Sequence, residues 1–313
     1  MEKDIPLSEE RAPSHSPVVV EFKVKNIGFV LAAFFIWTTY AESQINSGTV
    51  VVVGISKDKI IMAADSRGFG GKDALGNKIY HDGICKLAAL NGKILYGATG
   101  LIADYSEVLP PELHVDAMVA ARKAFGEAPK RMSMLKTDDL VQSVADGWHT
   151  NVSWSFIDAS AFEIDRWLSE FGLKTKQIGI TGIFGGISPN GEIRVLVRSF
   201  GCKKPNWLPA TNTAYEKIIH CNPIFDGTSI PSTPDLKWYA FGVTDITSKN
   251  IDPVSRQVRW TNLKDWQIAV RLVDLTIAFS KDKDFVNKPI DAVELQRDGI
   301  VTWFQNEQGC KED

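Results

Sequence analysis

The chain has 313 residues, 44% of them hydrophobic and 23% charged, with a formal net charge of −3. That is the balance of an ordinary globular protein with room for a substantial core, and it gives no reason to invoke nucleic acid or an anionic membrane as partner. Five scattered histidines (His15, His81, His114, His149 and His220) lack ligand spacing, and no C-x-x-C, H-E-x-x-H, P-loop or G-x-G-x-x-G stands in a matching context; no metal and no cofactor are expected.

In chain order, residues 1–25 are polar, carry Pro6, Pro13 and Pro17, and read as disordered. Residues 27–41 (IGFVLAAFFIWTTYA) form an apolar run behind Lys23 and Lys25, shorter than the ~20 residues of a spanning helix. The run fits the h-region of a secretory signal, with Thr39-Tyr40-Ala41 as cleavage site, and so predicts a periplasmic or extracellular protein. Left uncleaved it would be a membrane anchor; as a mere propeptide segment it would leave the protein cytoplasmic.

Residues 49–56 are a β-branched run (Val50, Val51, Val52, Val53, Ile55), Lys57-Asp58-Lys59 a polar turn, and residues 60–64 a second apolar strand ending in Asp65-Ser66-Arg67. A loop over 68–83 leads to a strand over 84–90 carrying Lys86. Asn91-Gly92 turns it into residues 93–98, which close at Gly100. Residues 101–107 start helically, Pro110-Pro111 interrupts them, and an amphipathic helix spans 112–126. Thr137-Asp138-Asp139 opens another helix to Asp146, with Gly147 as its stop. The aromatic-rich stretch 148–172 is helical in its later part, its rings read as core. Strands follow over 177–188 and 192–200 around Pro189-Asn190-Gly191. Residues 202–235 form a long irregular insertion. Cys202 and Cys221 bracket part of it and could be joined by a disulfide in an exported protein, whereas Cys85 and Cys310 have no obvious partner. A strand over 236–243, a helix over 264–279 and a hairpin over 289–304 around Arg297-Asp298-Gly299 complete the chain. This order agrees with an α+β fold of two antiparallel sheets between helix layers.

Thr49, Asp65 and Lys86 are of types that can work together. A threonine hydroxyl is a poor nucleophile until a base takes its proton, and the threonine's own α-amino group can serve once the preceding peptide is cut. That amine ordinarily titrates at roughly 7.7–8.0, and a nearby lysine charge lowers this further. An aspartate keeps the lysine charged and pointed.

The block from Gly48 to Asp104 resembles the catalytic half of a proteasome-type β-subunit, a member of the N-terminal-nucleophile hydrolases. Gly48-Thr49 matches the processing point, Ala63-Ala64-Asp65-Ser66-Arg67 the A-A-D-S-R-like motif, and Gly100 and Asp104 fall in place when counted from Lys86. The resemblance implies a four-layer αββα sandwich, with residues 1–48 as leader and 49–313 as the domain. It also implies Thr49 as nucleophile, Asp65 and Lys86 as its supporting pair, and the Gly100 N–H as oxyanion donor. Arg67, Thr244 and Asp284 are candidate supporting residues. A cut after Ala41 would still leave Glu42 to Gly48 ahead of Thr49, so a second cut, self-catalysed at Gly48, is required.

The chain departs from the family twice. A G-S-G-like turn is replaced by Gly242-Val243-Thr244, and the serine of a D-x-x-S-G-G-like segment by Val286, with Asp282 or Asp284 standing in for the aspartate. The expected function is a threonine-type hydrolase of peptide or other amide bonds; assembly as a homo-oligomer is implied by the resemblance only. The alternatives are a non-catalytic structural or binding protein, as the family's α-type subunits are, and a small-molecule amidase whose 202–235 insertion shapes a pocket.

Overall fold

The structure is a computed structural model of the chain; it describes residues 22–23, 50–72, 78–82, 84–104, 114–170, 177–203, 220–242, 262–279 and 288–305. Thr49, Thr244, Asp282, Asp284, Val286 and Cys310 lie outside those residues, as do residues 27–41.

The first sheet grows from the hairpin β2 (Val50–Ile55) and β3 (Lys59–Asp65), paired Val51 to Ala64 through Ile55 to Ile60. β13 (Lys237–Gly242) flanks β2, and the hairpin β14 (Ile290–Gln296) and β15 (Val301–Gln305) flanks β3. A short strand β1 (Phe22–Lys23) pairs with Trp238 and Lys237 on the outer edge of β13, giving the order β1-β13-β2-β3-β14-β15. The second sheet runs β12-β11-β10-β7-β6, built of β6 (Leu87–Leu90), β7 (Ile94–Gly100), β10 (Gln177–Ile187), β11 (Ile193–Lys203) and β12 (His220–Pro231). Both sheets are antiparallel throughout.

Three apolar clusters define the layers. Val51, Val53, Ile60 and Met62 of the first sheet meet Leu87, Leu95, Ile183 and Val195 of the second. On its other face the first sheet packs Val50, Val52, Ile61 and Ala63 beneath Ala269, Leu272 and Val273 of a helix over Asp265–Phe279. β2 and β3 are therefore buried on both faces, which is why their sequences are unbroken apolar runs rather than alternating ones. The second sheet's outer face carries the helix α1 (Ala117–Leu135) and the helix α2 (Leu140–Glu170) over Tyr96, Phe184, Leu196 and Phe200. The helix over Asp265–Phe279 is α3. The protein is thus α+β, with two antiparallel sheets face to face and helices on both outer faces.

Several sequence expectations change. Residues 103–104 are not helical: β8 (Ala103–Asp104) pairs with β9 (Val115–Asp116), and Asp116 then caps α1 by accepting from Met118 and Val119 N–H at 2.8 Å. α1 starts at Ala117 rather than 112 and runs through Gly126 and Pro129 to Leu135. Gly147 does not stop the second helix. A Cβ there would lie 3.2 Å from the Ala124 Cβ and 3.1 Å from the Arg131 guanidinium, so its small size lets α1 and α2 approach, and α2 continues to Glu170. The cap of α2 is as expected, with Asp139 accepting from Gln142 N–H at 2.9 Å.

The loop over 68–83 contains a separate two-stranded ribbon, β4 (Arg67–Lys72) with β5 (Lys78–Asp82). The insertion over 202–235 is not irregular throughout, because β12 lies in it and pairs along β11, with a register shift around Ser199. Phe22 and Lys23 fall in the leader read as disordered. Cys85, expected to lack a partner, is disulfide-bonded, as is Cys202. Cys202 stands directly opposite Cys221 in the β11–β12 register, the pair singled out from the sequence.

Candidate active site

Val50 opens β2, and β3 delivers Asp65 beside it. The Val50 N–H donates to Asp65 Oδ1 at 2.9 Å, fixing the backbone one residue after Thr49. The other carboxylate oxygen, Oδ2, accepts from Lys86 Nζ at 3.0 Å. Lys86 Nζ donates in addition to the main-chain carbonyl of Arg67. Arg67, a candidate from the sequence, thus takes part here through its backbone oxygen. Both side chains of the pair are sealed from solvent, 0% exposed for Asp65 and 1% for Lys86. A buried ammonium costs several kcal/mol of desolvation, and only good geometry with further acceptors offsets it; the Arg67 carbonyl supplies one.

Lys86 precedes β6 rather than lying within it. Its segment is held by Ile84 N–H donating to Ser66 O at 2.9 Å and by Ala98 N–H donating to Lys86 O at 3.0 Å. Ser66, buried between the two charged residues in sequence, also donates its N–H (3.0 Å) and its hydroxyl (2.9 Å) to the Pro289 carbonyl. One residue thereby ties the end of β3 to the lysine segment and to the start of β14. Sequence reasoning missed it, although it stands in the middle of the Asp65-Ser66-Arg67 motif.

Gly100 ends β7 with φ +94°, a conformation that favours glycine. It is opposite Ile180 on β10, and the next residue, Leu101, donates its N–H to Gly179 O at 3.0 Å. An added Cβ would sit 2.9 Å from the Ile180 Cα and collide with the Gly179 carbonyl. The ladder between the Lys86–Leu90 segment and β7 carries Lys86 and Gly100 on one end of the second sheet.

The start of β2 lies at the same end of the first sheet. Gly242, the last residue of β13, pairs with Val50, the residue after Thr49. The structure therefore brings together Val50, Asp65, Lys86 and the Arg67 carbonyl. The roles of Thr49, Thr244 and Asp284 fall outside the described residues.

Away from this end, Arg198 donates to Asp146 Oδ1 through Nε at 3.0 Å and Nη2 at 2.8 Å, while Arg194 pairs with Asp139, so α2 is bolted to β11 at two points. Among the described residues no group of three or more His, Cys, Asp or Glu could hold a metal, and no helix is long and apolar enough to cross a membrane.

No protein-family model matches this chain, and no curated protein matches it either.

Proposed function

We propose that the chain is a threonine-type N-terminal-nucleophile hydrolase that cleaves peptide or other amide bonds after processing between Gly48 and Thr49. The observation that carries the reading is the double use of Asp65: one oxygen anchors the Val50 N–H and the other holds Lys86. A buried lysine held by the same carboxylate that takes the Val50 N–H is the feature this chemistry uses. Its charge favours the neutral form of a nearby α-amine, which is the form that accepts the hydroxyl proton. Thr49 would attack the amide carbon, its amine would take the proton and return it to the leaving amine, and the Gly100 N–H would stabilise the oxyanion. Water would then release the acyl group by the same route. The two sheets and their outer helices are consistent with the sandwich of the family that the sequence resembles.

Replacement of Thr49 with alanine should leave the fold intact and remove amide hydrolysis, while Thr49→Ser should retain part of it. Hydrolysis that persists in Thr49→Ala would end the proposal. A second reading, a non-catalytic protein of the same architecture, is favoured by one observation: the Asp65–Lys86 pair is fully buried between strands, where such pairs commonly serve structure alone. Equal behaviour of wild type and Thr49→Ala toward every amide substrate would support it.

Two observations bear on location, and they favour different sides. Disulfide-bonded Cys85 and Cys202 suit an oxidising compartment, in line with export. Phe22 and Lys23 pair with β13, in line with residues 27–41 as a propeptide segment.

A further inference from the structure

We propose that the disulfide of Cys85 is a redox handle on Lys86, so that the site is assembled in the oxidised protein and loosened in the reduced one. The proposal deepens the hydrolase reading and rests on it for its activity arm alone. Cys85 is bonded through sulfur and is joined by a peptide bond to Lys86. Residues 84–86 belong to no strand, and Lys86 is nonetheless among the largest fully buried side chains of the protein. Backbone hydrogen bonds from Ile84 to Ser66 and from Ala98 to Lys86 hold this segment, together with the Lys86 Nζ bonds to Asp65 and the Arg67 carbonyl. The cross-link at Cys85 is a covalent restraint, and it acts on the residue between Ile84 and Lys86.

The balance at Lys86 makes that covalent restraint matter. A buried ammonium carries a desolvation cost that its partners offset only in good geometry, so loosening its backbone weakens the hold on it. The second disulfide-bonded cysteine, Cys202, provides an internal comparison. It lies on β11, separated from the lysine segment by β7 and β10.

The chemistry is thiol–disulfide exchange. A dithiol reductant such as dithiothreitol gives two electrons and two protons; the S–S bond breaks, each cysteine sulfur becomes a thiol, and the dithiol closes to its own disulfide.

The test treats the full chain with graded dithiothreitol. Peptide mapping after alkylation identifies which bond has opened, and amide hydrogen exchange over residues 84–90 reads the segment. Opening of the Cys85 bond should raise exchange there by about tenfold while the β2–β3 hairpin stays protected. Amide hydrolysis should fall in step and recover on reoxidation. Cys85→Ser should behave as the reduced protein does; where that variant fails to fold, the reduction series on folded protein decides. Exchange over 84–90 that is the same in both redox states overturns the proposal, and so does a rise spread evenly over both sheets, the mark of a general staple. A protein inactive in both states, with exchange that still changes over 84–90, would retain the redox handle and count against the hydrolase reading.

Discussion

Asp65 Oδ2 and Lys86 Nζ meet at 3.0 Å inside the protein, with no more than 1% of either side chain exposed. The two residues come from different sheets, Asp65 from the end of β3 and Lys86 from the segment that enters β6. Their contact is therefore a bond between the layers at one end of the sandwich, and the Val50 N–H completes it.

The pair should be strongly coupled in stability. Lys86→Met leaves the Asp65 carboxylate buried without its cation and should cost about 3–5 kcal/mol in urea unfolding. Asp65→Asn keeps an acceptor for Val50 and should cost less. The double variant should fall short of the sum of the singles by roughly 1–3 kcal/mol. Additive losses would mean that the two charges do not depend on each other.

Two glycines in the paired helices should respond with opposite sign to alanine. Gly126, inside α1, has nothing within 4 Å of an added Cβ, so Gly126→Ala should stabilise by about 0.5–1 kcal/mol through helix propensity. Gly147, inside α2, would press on Ala124 at 3.2 Å and Arg131 at 3.1 Å. Overpacking there should outweigh the same propensity gain, giving a net loss of about 1 kcal/mol or more. Thermal unfolding of the two variants side by side checks the contrast.

Gly100→Ala should be harsher than either. The site combines φ +94° with an Ile180 Cα 2.9 Å from the new Cβ, so backbone must move. A loss above about 2 kcal/mol is expected. Because the Gly100 N–H is the proposed oxyanion donor, the same backbone shift should misplace it and slow amide hydrolysis by the remaining folded fraction, by up to about 10²-fold.

Alkaline pH should unfold the protein from about pH 10 upward. Burial pulls the Lys59 ammonium down, but Asp265 and Glu294, at 2.6 and 3.6 Å, together hold it above the usual lysine range. Burial likewise holds the Tyr96 phenol well above its usual value, in a site where its Oη donates to Ala117 O at 3.1 Å. Both groups keep their protons longer in the folded state than in the unfolded one. Stability is then fully present below the unfolded pKa values, about 10 for both, and declines as pH rises through the folded ones. Lys59→Met should flatten the part of this decline that comes from lysine, as read from unfolding at pH 9 and pH 11.

Much of the fold was legible where the residues themselves carry the constraint. The valine run 50–53 announces a strand, and Asn91-Gly92 and Arg297-Asp298-Gly299 mark real hairpin turns. Asp65, at a strand end, and Lys86 were also legible as residue types that can work together, although the sequence pattern puts Lys86 within a strand and it precedes β6. What stayed hidden depends on distant partners. Gly147 reads locally as a helix stop, and only the packing of α1 on α2 shows it to be a contact point. β12 lacks a clean alternation because β11 dictates its pairing. The Cys85 bond was signalled only by an even count of four cysteines, and the Arg67 carbonyl, being backbone, left no residue-type signal at all.

The central claim is that Thr49 becomes the first residue of the active chain. Intact mass and N-terminal sequencing of the protein purified from its native host test it most directly, with Thr49→Ala expressed alongside. The account predicts a wild-type chain that starts at Thr49 and an alanine variant that keeps Gly48. A mature wild-type chain with Gly48 still attached, hydrolysing amides at the same rate as the variant, would contradict it.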